Sequence, residues 1–429
     1  MATTAPHWSA PTTRRPVDAS VSLPGSKSMT NRALVLAALG TEPTLVRAPL
    51  LSRDTELMAA ALRRLGAEVT ATGSGTDLRV TPHPPRGPAT VDVGNAGTVM
   101  RFVPPLAALA DGPVTFDGDA RARERPVGPL LAALRDLGAT VVDDGRGALP
   151  LVIHGRGELP GGTVTLDASS SSQFVSALLL SGPRFAQGVE VRHVGAPVPS
   201  RPHLDMTVAM LREAGARVVT DTPDVWRVAP GPLRTTAITV ELDLSNAAPF
   251  LAAALVTGGR VTINGWPENT TQPGSVLPEL FTRMGGTVHR DPAGLTLHGT
   301  GTIQGISADL HEIGELTPTI AAVAALAETP SRLTGIAHLR RHETDRIAAL
   351  AREITRLGGN VTELEDGLVI EPGPLHGGVF HSYDDHRMAT SGAVLGLAVP
   401  EISVENIATT GKTMPNFPEL WGEVVHAAT

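Results

Sequence analysis

Residues 27–39 read KSMTNRALVLAAL, a charged opening that turns abruptly into an alanine-rich apolar run. The same change recurs in NAGTVMRFVPPLAAL from Asn95, SSQFVSALLL from Ser171, SNAAPFLAAAL from Ser245, ELTPTIAAVAAL from Glu315 and DDHRMATSGAVLGL from Asp384. Successive starts lie 68, 76, 74, 70 and 69 residues apart, the even spacing of a repeated supersecondary unit. Each run is apolar on all sides, which predicts a buried helix. Each start offers free backbone N–H groups and the positive end of a helix dipole. If the six starts face one cleft, they form an anion trap before any side-chain charge is counted.

A second periodic feature interleaves with the first. LRRLGAEVT (62–70), LRDLGATVV (134–142), LREAGARVV (211–219), FTRMGGTVH (281–289) and ITRLGGNVT (354–362) each end an amphipathic helix on glycine and pass at once into a β-branched strand. Gly66, Gly138, Gly215, Gly285 and Gly358 are therefore expected as left-handed helix caps. A sixth copy is cut short near PNFPELWGEVVHA. Gly/Pro-rich 81–90 (TPHPPRGPAT) and 155–162 (GRGELPGG) read as turns between strands. Six α/β units in 429 residues exceed one ordinary core, so two domains of three units each are expected. The fold class is α/β: a two-domain inside-out α/β barrel, with buried helices surrounded by sheets. One domain spans 24–241. The other combines 1–23 with 242–429, the chain crossing at VSLPGSKS (21–28) and ELDLSNAA (241–248).

Hydrophobic content of 41% with 18% charge fits a soluble globular protein, and 3% aromatics leaves a core of Ala, Val and Leu. A net charge of −8 argues against a broad nucleic-acid surface, although a local cationic pocket remains compatible with it. The absence of cysteine excludes disulfides, thiolate metal sites and a cysteine nucleophile. No run approaches the roughly 20 apolar residues of a membrane span. MATTAPHWSAPTTRRP has no apolar core of a signal peptide, so a cytoplasmic location is expected.

Most motifs at the helix starts admit two readings. PGSKSMTNR (24–32) lacks the contiguous Gly-Lys-Ser of a phosphate loop, so Lys27 is either a solvated lysine or an anion contact helped by Ser28 and Arg32. NAGTVMR (95–101) puts Asn and Gly at a helix entry and Arg101 inside an apolar segment, which reads most plainly as a helix cap followed by one arginine reaching outward. SSSSQF (169–174) is a flexible serine loop or a phosphate cradle. In RARERP (121–126), Arg125 is the pocket candidate, since Pro126 fixes the turn beside it, and the other arginines read as solvated. RRHETDR (340–346) and DDHRMA (384–389) are either exposed ion-pair networks or acid–base clusters; neither has metal-ligand spacing. Glu315 either caps a dipole or performs acid–base work.

Taken together and in order, PGSKSMTNRALVLAAL, NAGTVMR, RERP, SSQF, HETDR, DDHRMA and GKTMPNFPEL resemble the EPSP synthase (3-phosphoshikimate 1-carboxyvinyltransferase) family of enolpyruvyl transferases, from residue 24 to the C-terminus. The resemblance implies transfer of the enolpyruvyl group of phosphoenolpyruvate to the 5-hydroxyl of shikimate 3-phosphate with release of phosphate, a step of aromatic amino-acid synthesis. Carried over by position, Lys27, Ser28, Arg32, Ser171, Ser172, Gln173, Ser200, Glu315, His338 and His342 would hold shikimate 3-phosphate. Lys27, Asn95, Gly97, Arg125, Gln173, Arg346, Arg387 and Lys412 would hold phosphoenolpyruvate. Glu315 would take the proton of the 5-hydroxyl, and Lys27, Glu343 and His386 are the candidates for proton transfer at the methylene carbon. The resemblance also implies two small-molecule substrates, no cofactor or metal, no nucleic-acid or membrane partner, a monomer, and closure of two domains over the ligands.

The chain departs from the commonest family pattern in places. Glu315 stands where many relatives have Asp, His342 where Lys is frequent, His338 where Asn is frequent, and Phe102 where Pro is common. The two histidines are expected to make substrate binding more pH-dependent. Gly97 is retained, so glyphosate is expected to fit the phosphoenolpyruvate site. The rival assignments are UDP-N-acetylglucosamine enolpyruvyl transferase, which usually carries a loop cysteine, and a non-catalytic phosphosugar-binding protein.

Overall fold

The computed structural model describes residues 6–73 and 75–427. Residues 1–5, which the sequence reading assigns to the second domain and to an N-terminus without a signal core, lie outside the described residues. The chain divides into two compact units, one of Gly25–Glu241 and one of Leu242 onward joined by the segment up to Pro24.

The unit Gly25–Glu241 is built on three buried helices: α1 (Lys27–Ala38), α2 (Gly97–Ala107) and α3 (Gln173–Ser181). Every residue of α2 is buried, as the all-round apolar pattern requires. The unit also carries three four-stranded sheets of one design. Ala89–Asp92 pairs in parallel with Asp111–Asp117. That strand pairs antiparallel with Leu151–Arg156, which pairs antiparallel with Thr140–Val142. The parallel step needs a long crossover, and α2 supplies it. Gly162–Leu166, Val189–His193, Val225–Val228 and Val218–Thr222 repeat the pattern around α3. In the first repeat the parallel partner of Thr44–Arg47 is Ala237–Thr239, which arrives from the far end of the unit.

The other unit repeats this plan with α4 (Leu244–Thr257), α5 (Thr317–Ala325) and α6 (His386–Ala398). Here the first parallel strand is Asp18–Val21, which pairs with Arg260–Asn264. In its last sheet Gly378–Phe380 pairs in parallel with Ile402–Glu405, and His7–Ser9 pairs antiparallel with the latter. Each unit has its own hydrophobic core, in which alanine and valine fill much of the space between helices. Among the described residues no helix is long and apolar enough to cross a membrane.

The glycine stops have one geometry. Gly66, Gly138, Gly215, Gly285 and Gly358 all have φ between 87° and 107°. In each case the next residue's N–H donates to a carbonyl five residues back, as in Ala67 to Leu62 at 3.0 Å and Gly359 to Ile354 at 2.9 Å. This closes the helix and turns the chain directly into the following strand. Both Gly/Pro-rich stretches connect strands of successive repeats. Two starts differ in detail from the sequence expectation. Helix α2 opens at Gly97 with no side-chain cap, because the Asn95 side chain is engaged elsewhere. Glu315 sits in a 3-10 turn, His311–Leu316, that precedes α5 rather than in the helix itself.

Candidate active site

In the unit Gly25–Glu241 the starts of α1, α2 and α3 are tied together by side chains. Asn31 Nδ2 on α1 donates to Thr98 Oγ1 on α2 at 2.6 Å. Arg101 on α2 donates to Gln173 Oε1 on α3 at 3.1 Å, and Arg32 on α1 reaches Ser176 on α3 at 3.4 Å. The polar openings of three distant segments therefore share one end of the unit.

Gly97 marks the tightest point. A Cβ placed there would stand 2.7 Å from Arg125 Nη2, 2.8 Å from Arg101 Nη1 and 3.3 Å from Gln173 Oε1. Two guanidinium groups and an amide thus crowd the bare backbone of the first turn of a helix. Arg125 is buried and donates to the Asn95 carbonyl at 2.9 Å and to Asn95 Oδ1 at 3.0 Å. Its Nε makes no hydrogen bond. The flanking arginines of RARERP instead form exposed pairs, Arg121 with Glu124 and Arg123 with Asp117. Arg101 does not reach outward: it is buried, also donates to the Gly97 and Pro126 carbonyls, and lies over the Phe174 ring.

Lys27 Nζ, at the first residue of α1, lies 3.3 Å from Oδ2 of buried Asp54. Ser28 Oγ is 3.5 Å from His203 Nε2. Arg32 is fully buried and directs its N–H groups at Thr207 Oγ1, Ser176 Oγ and the carbonyls of Ser28 and His203. Its guanidinium lies 5.1 Å from the centroid of Phe102, so the family departure at 102 supplies an aromatic face. Arg32 has no carboxylate partner among the described residues, and burial lowers its pKa. A buried cation without a counter-ion favours an anion nearby. Ser172 is buried, Ser171 Oγ accepts from the Gln173 N–H at 3.2 Å, and Ser200 is held at φ 54°.

In the second unit the starts of α4, α5 and α6 meet in the same manner. Ser245 Oγ donates to Glu315 Oε1 at 3.2 Å. Arg387 Nη1 donates to the Ser245 carbonyl at 2.9 Å and to Asn246 Oδ1 at 3.4 Å. Asp385 caps α6 by accepting the Arg387 N–H at 2.9 Å. The same carboxylate takes a two-pronged contact from Arg346, at 2.8 and 3.0 Å. Arg346 also meets Glu343 Oε2 at 3.3 Å and His342 Nδ1 at 3.4 Å, and Lys412 Nζ meets Glu343 Oε1 at 2.8 Å. Glu343 therefore bridges two of the expected phosphoenolpyruvate cations. Asp385 and Glu343 hold the Arg346 pKa above its usual value against the opposing effect of burial. Burial lowers that of Arg387. His386 Nδ1 lies 3.7 Å from Asp385 Oδ1.

The His338 imidazole is strongly perturbed. Burial first, then the charges of His311 and Arg346, lower its pKa to about 4, while Glu315 opposes them. Its ring packs between those of His311 and His342, with centroids 5.8 Å away on each side. Its Nε2 faces Gly314, where a Cβ would lie only 2.5 Å off. No group of acids and histidines suited to a metal occurs among the described residues.

The expected residues thus form two clusters, one in each unit. Lys27, Ser28, Arg32, Asn95, Gly97, Arg125, Ser171, Ser172 and Gln173 lie at the starts of α1 to α3 or on the turn that touches them. Glu315, His338, His342, Glu343, Arg346, His386, Arg387 and Lys412 lie around α5 and α6. Sequence reasoning did not single out Asp54, His203, Ser245 or Asp385 as site residues. Asp54 in SRDTEL looks like any first-turn acid, whereas Ser245 opens one of the six repeated starts and Asp385 lies inside DDHRMA.

A family model for EPSP synthase (3-phosphoshikimate 1-carboxyvinyltransferase) matches residues 11–421. The 3-phosphoshikimate 1-carboxyvinyltransferase of Kocuria rhizophila is 56% identical, across 97% of this chain and 96% of the relative. A solved EPSP synthase from Acinetobacter baumannii superposes with a TM-score of 0.80 at 27% identity, covering 97% of each chain. The enolpyruvyl transferase NikO from Streptomyces tendae shares the fold, with a TM-score of 0.78 at 18% identity over 98% of each chain. Motifs, helix-start geometry and the match along nearly the whole length agree: the chain belongs to the EPSP synthase family.

Proposed function

We propose that this protein transfers the enolpyruvyl group of phosphoenolpyruvate to the 5-hydroxyl of shikimate 3-phosphate and releases inorganic phosphate, as a 3-phosphoshikimate 1-carboxyvinyltransferase. The observation that carries the reading is the pair of cationic clusters at converging helix starts, one holding Arg125 against Gly97 and the other holding Arg346 and Lys412 about Glu343. Both substrates are polyanions, and donors fixed before binding do not have to reorganise during the reaction.

In this proposal Ser28, Ser171, Ser172 and Ser200 serve mainly the phosphate of shikimate 3-phosphate, with Arg32, Gln173, His338 and His342 completing its contacts. Arg125, Arg346, Arg387 and Lys412 take the carboxylate and phosphate of phosphoenolpyruvate, for which planar guanidinium forks are suited. The backbone at Asn95 and Gly97 and the Gln173 amide complete that side, and Lys27 touches both substrates. Each unit is taken as one domain, arranged as three α/β repeats of an inside-out barrel. The protein is taken to act as a monomer in the cytoplasm.

The chemistry adds a proton to the methylene carbon of phosphoenolpyruvate while the 5-hydroxyl oxygen attacks C2. Glu315 accepts the hydroxyl proton; its hydrogen bond from Ser245 supports a fixed carboxylate orientation. In the second step C2 expels phosphate, and the new methyl group loses a proton to restore the double bond. Lys27, Glu343 and His386 remain the candidates for both transfers at that carbon. No enzyme nucleophile is required. Phosphate release should require both substrates together, and neither alone should give it. Release from phosphoenolpyruvate with UDP-N-acetylglucosamine, but not with shikimate 3-phosphate, would overturn the assignment.

A further inference from the structure

The segment just before α6 is held in a costly conformation. Tyr383 and Asp384 both have φ of 54°, in the left-handed region that side chains other than glycine rarely occupy. Two such residues in succession persist only where surrounding contacts over-determine them. The next three residues are Asp385, which grips Arg346, followed by His386 and Arg387.

The contacts that impose this turn converge on Glu353. It lies two turns beyond Arg346 on the helix Arg346–Arg356, and hence on the same face. Its side chain is fully buried. Oε2 accepts the backbone N–H of His381 at 3.0 Å, and Oε1 accepts the hydroxyl of Tyr383 at 2.5 Å. One helix therefore holds the segment at two points, through Arg346 on Asp385 and through Glu353 on His381 and Tyr383. On the other side, Asn406 Nδ2 donates to Asp384 Oδ1 at 2.6 Å and Thr409 Oγ1 to the Asp384 carbonyl at 2.8 Å. Tyr383 is the only tyrosine in the chain. Burial, followed by the bond to Glu353, raises its pKa, which keeps the hydroxyl a donor at neutral pH.

We infer that Glu353 is a positioning residue for phosphoenolpyruvate: by holding Tyr383 and the His381 backbone it sets the 381–385 turn, and through it the places of Arg346, His386 and Arg387. The inference rests on the reaction proposed above. It assigns Glu353 no contact with substrate. Its loss should act chiefly on phosphoenolpyruvate, because the serines expected to hold the shikimate 3-phosphate phosphate lie on other segments, although His342, 3.4 Å from Arg346, links the turn to that substrate.

The test compares wild type with E353Q and Y383F. Y383F keeps the ring and removes only the hydroxyl, so it decides the matter alone should E353Q fail to fold. Both variants should raise KM for phosphoenolpyruvate about tenfold while KM for shikimate 3-phosphate stays within about twofold, since sub-ångström displacement of oriented charges is enough for such a loss. The double variant should lose little more than E353Q alone, because the bond from the Tyr383 hydroxyl that Y383F removes is one of those E353Q weakens, besides those from the His381 N–H and Arg356. A purely structural role would lower the active fraction and the melting temperature and leave both KM values unchanged. That outcome, or an unchanged KM for phosphoenolpyruvate, overturns the inference. Hydrogen exchange of amides 381–387 gives a readout independent of turnover, with about tenfold faster exchange expected in both variants. If wild type releases no phosphate, the reaction assignment fails, and unchanged exchange in the variants would separately refute the role of Glu353.

Discussion

Replacing Gly97 by Ala adds one methyl group at the point where Arg125, Arg101 and Gln173 crowd the start of α2. Gly97 opens a helix and is not among the residues of positive φ, so alanine meets no backbone strain there. Intrinsic helix propensity favours alanine by up to about 1 kcal/mol, less in the first turn. Stability should therefore hold or rise. The site should suffer. With Cβ contacts of 2.7 Å to Arg125 Nη2 and 2.8 Å to Arg101 Nη1, both guanidinium groups must retreat. The retreat to an ordinary contact is about 0.6–0.7 Å, and a misplacement of about 1 Å costs an oriented reaction on the order of a hundredfold. We expect KM for phosphoenolpyruvate to rise about tenfold, with KM for shikimate 3-phosphate within about threefold and the urea midpoint unchanged or higher. Steady-state phosphate release with each substrate varied in turn, beside an unfolding curve, measures all three. An unchanged KM for phosphoenolpyruvate in a stably folded G97A variant would refute the placement of that substrate against Gly97.

Glyphosate should compete with phosphoenolpyruvate in wild type and inhibit G97A more weakly; inhibition that excess phosphoenolpyruvate does not relieve would contradict the shared site. E315Q should lose turnover by a factor of about a thousand while substrate dissociation constants, read by calorimetry, change by less than about tenfold. Comparable losses would make Glu315 a binding group only. For His338 the pKa falls from 6.5 to about 4 on folding, so between those values the unfolded chain binds the extra proton and stability rises with pH. The contribution is fully present above about 6.5, is lost as pH falls towards 4, and amounts to roughly 3 kcal/mol at most. Urea unfolding at pH 4.5 and 7 should show that slope in wild type and a smaller one in H338N; equal slopes would place the imidazole in water. D385N strips Arg346 of its two-pronged partner and should cost about 3–5 kcal/mol in urea unfolding. A loss under about 1 kcal/mol would show that Glu343 alone suffices.

The chain announces its repeats because they are written in local chemistry. An all-apolar helix has to be interior, and a glycine after an amphipathic helix followed by β-branched residues has one economical backbone path. All five glycine stops adopt that path, and all six apolar runs are buried helices beginning within about two residues of the expected starts. The motif order likewise identified the family, since seven fragments in sequence are far more specific than any one. Local pattern was silent wherever a partner comes from far along the chain. Ala237–Thr239 completes the sheet of the first repeat, a pairing that no local pattern announces, whereas Asp18–Val21, which pairs with Arg260–Asn264, falls in the 1–23 segment that the sequence reading joins to the other unit. Asn95 reads locally as a helix cap and accepts from Arg125 instead, while Arg101 reads as reaching outward and is buried. Asp54 beside Lys27, and Glu353 beneath Tyr383, read as ordinary helix acids. Their meaning depends on what packs against them, and a carboxylate's role is set by the charge and burial around it. Sequence by itself determined the repeated unit, its caps and the kind of charges at each helix start. Only the tertiary structure decided which charges pair, which are buried without a partner and which turn is held under strain, because those energies arise between segments that the linear order keeps apart.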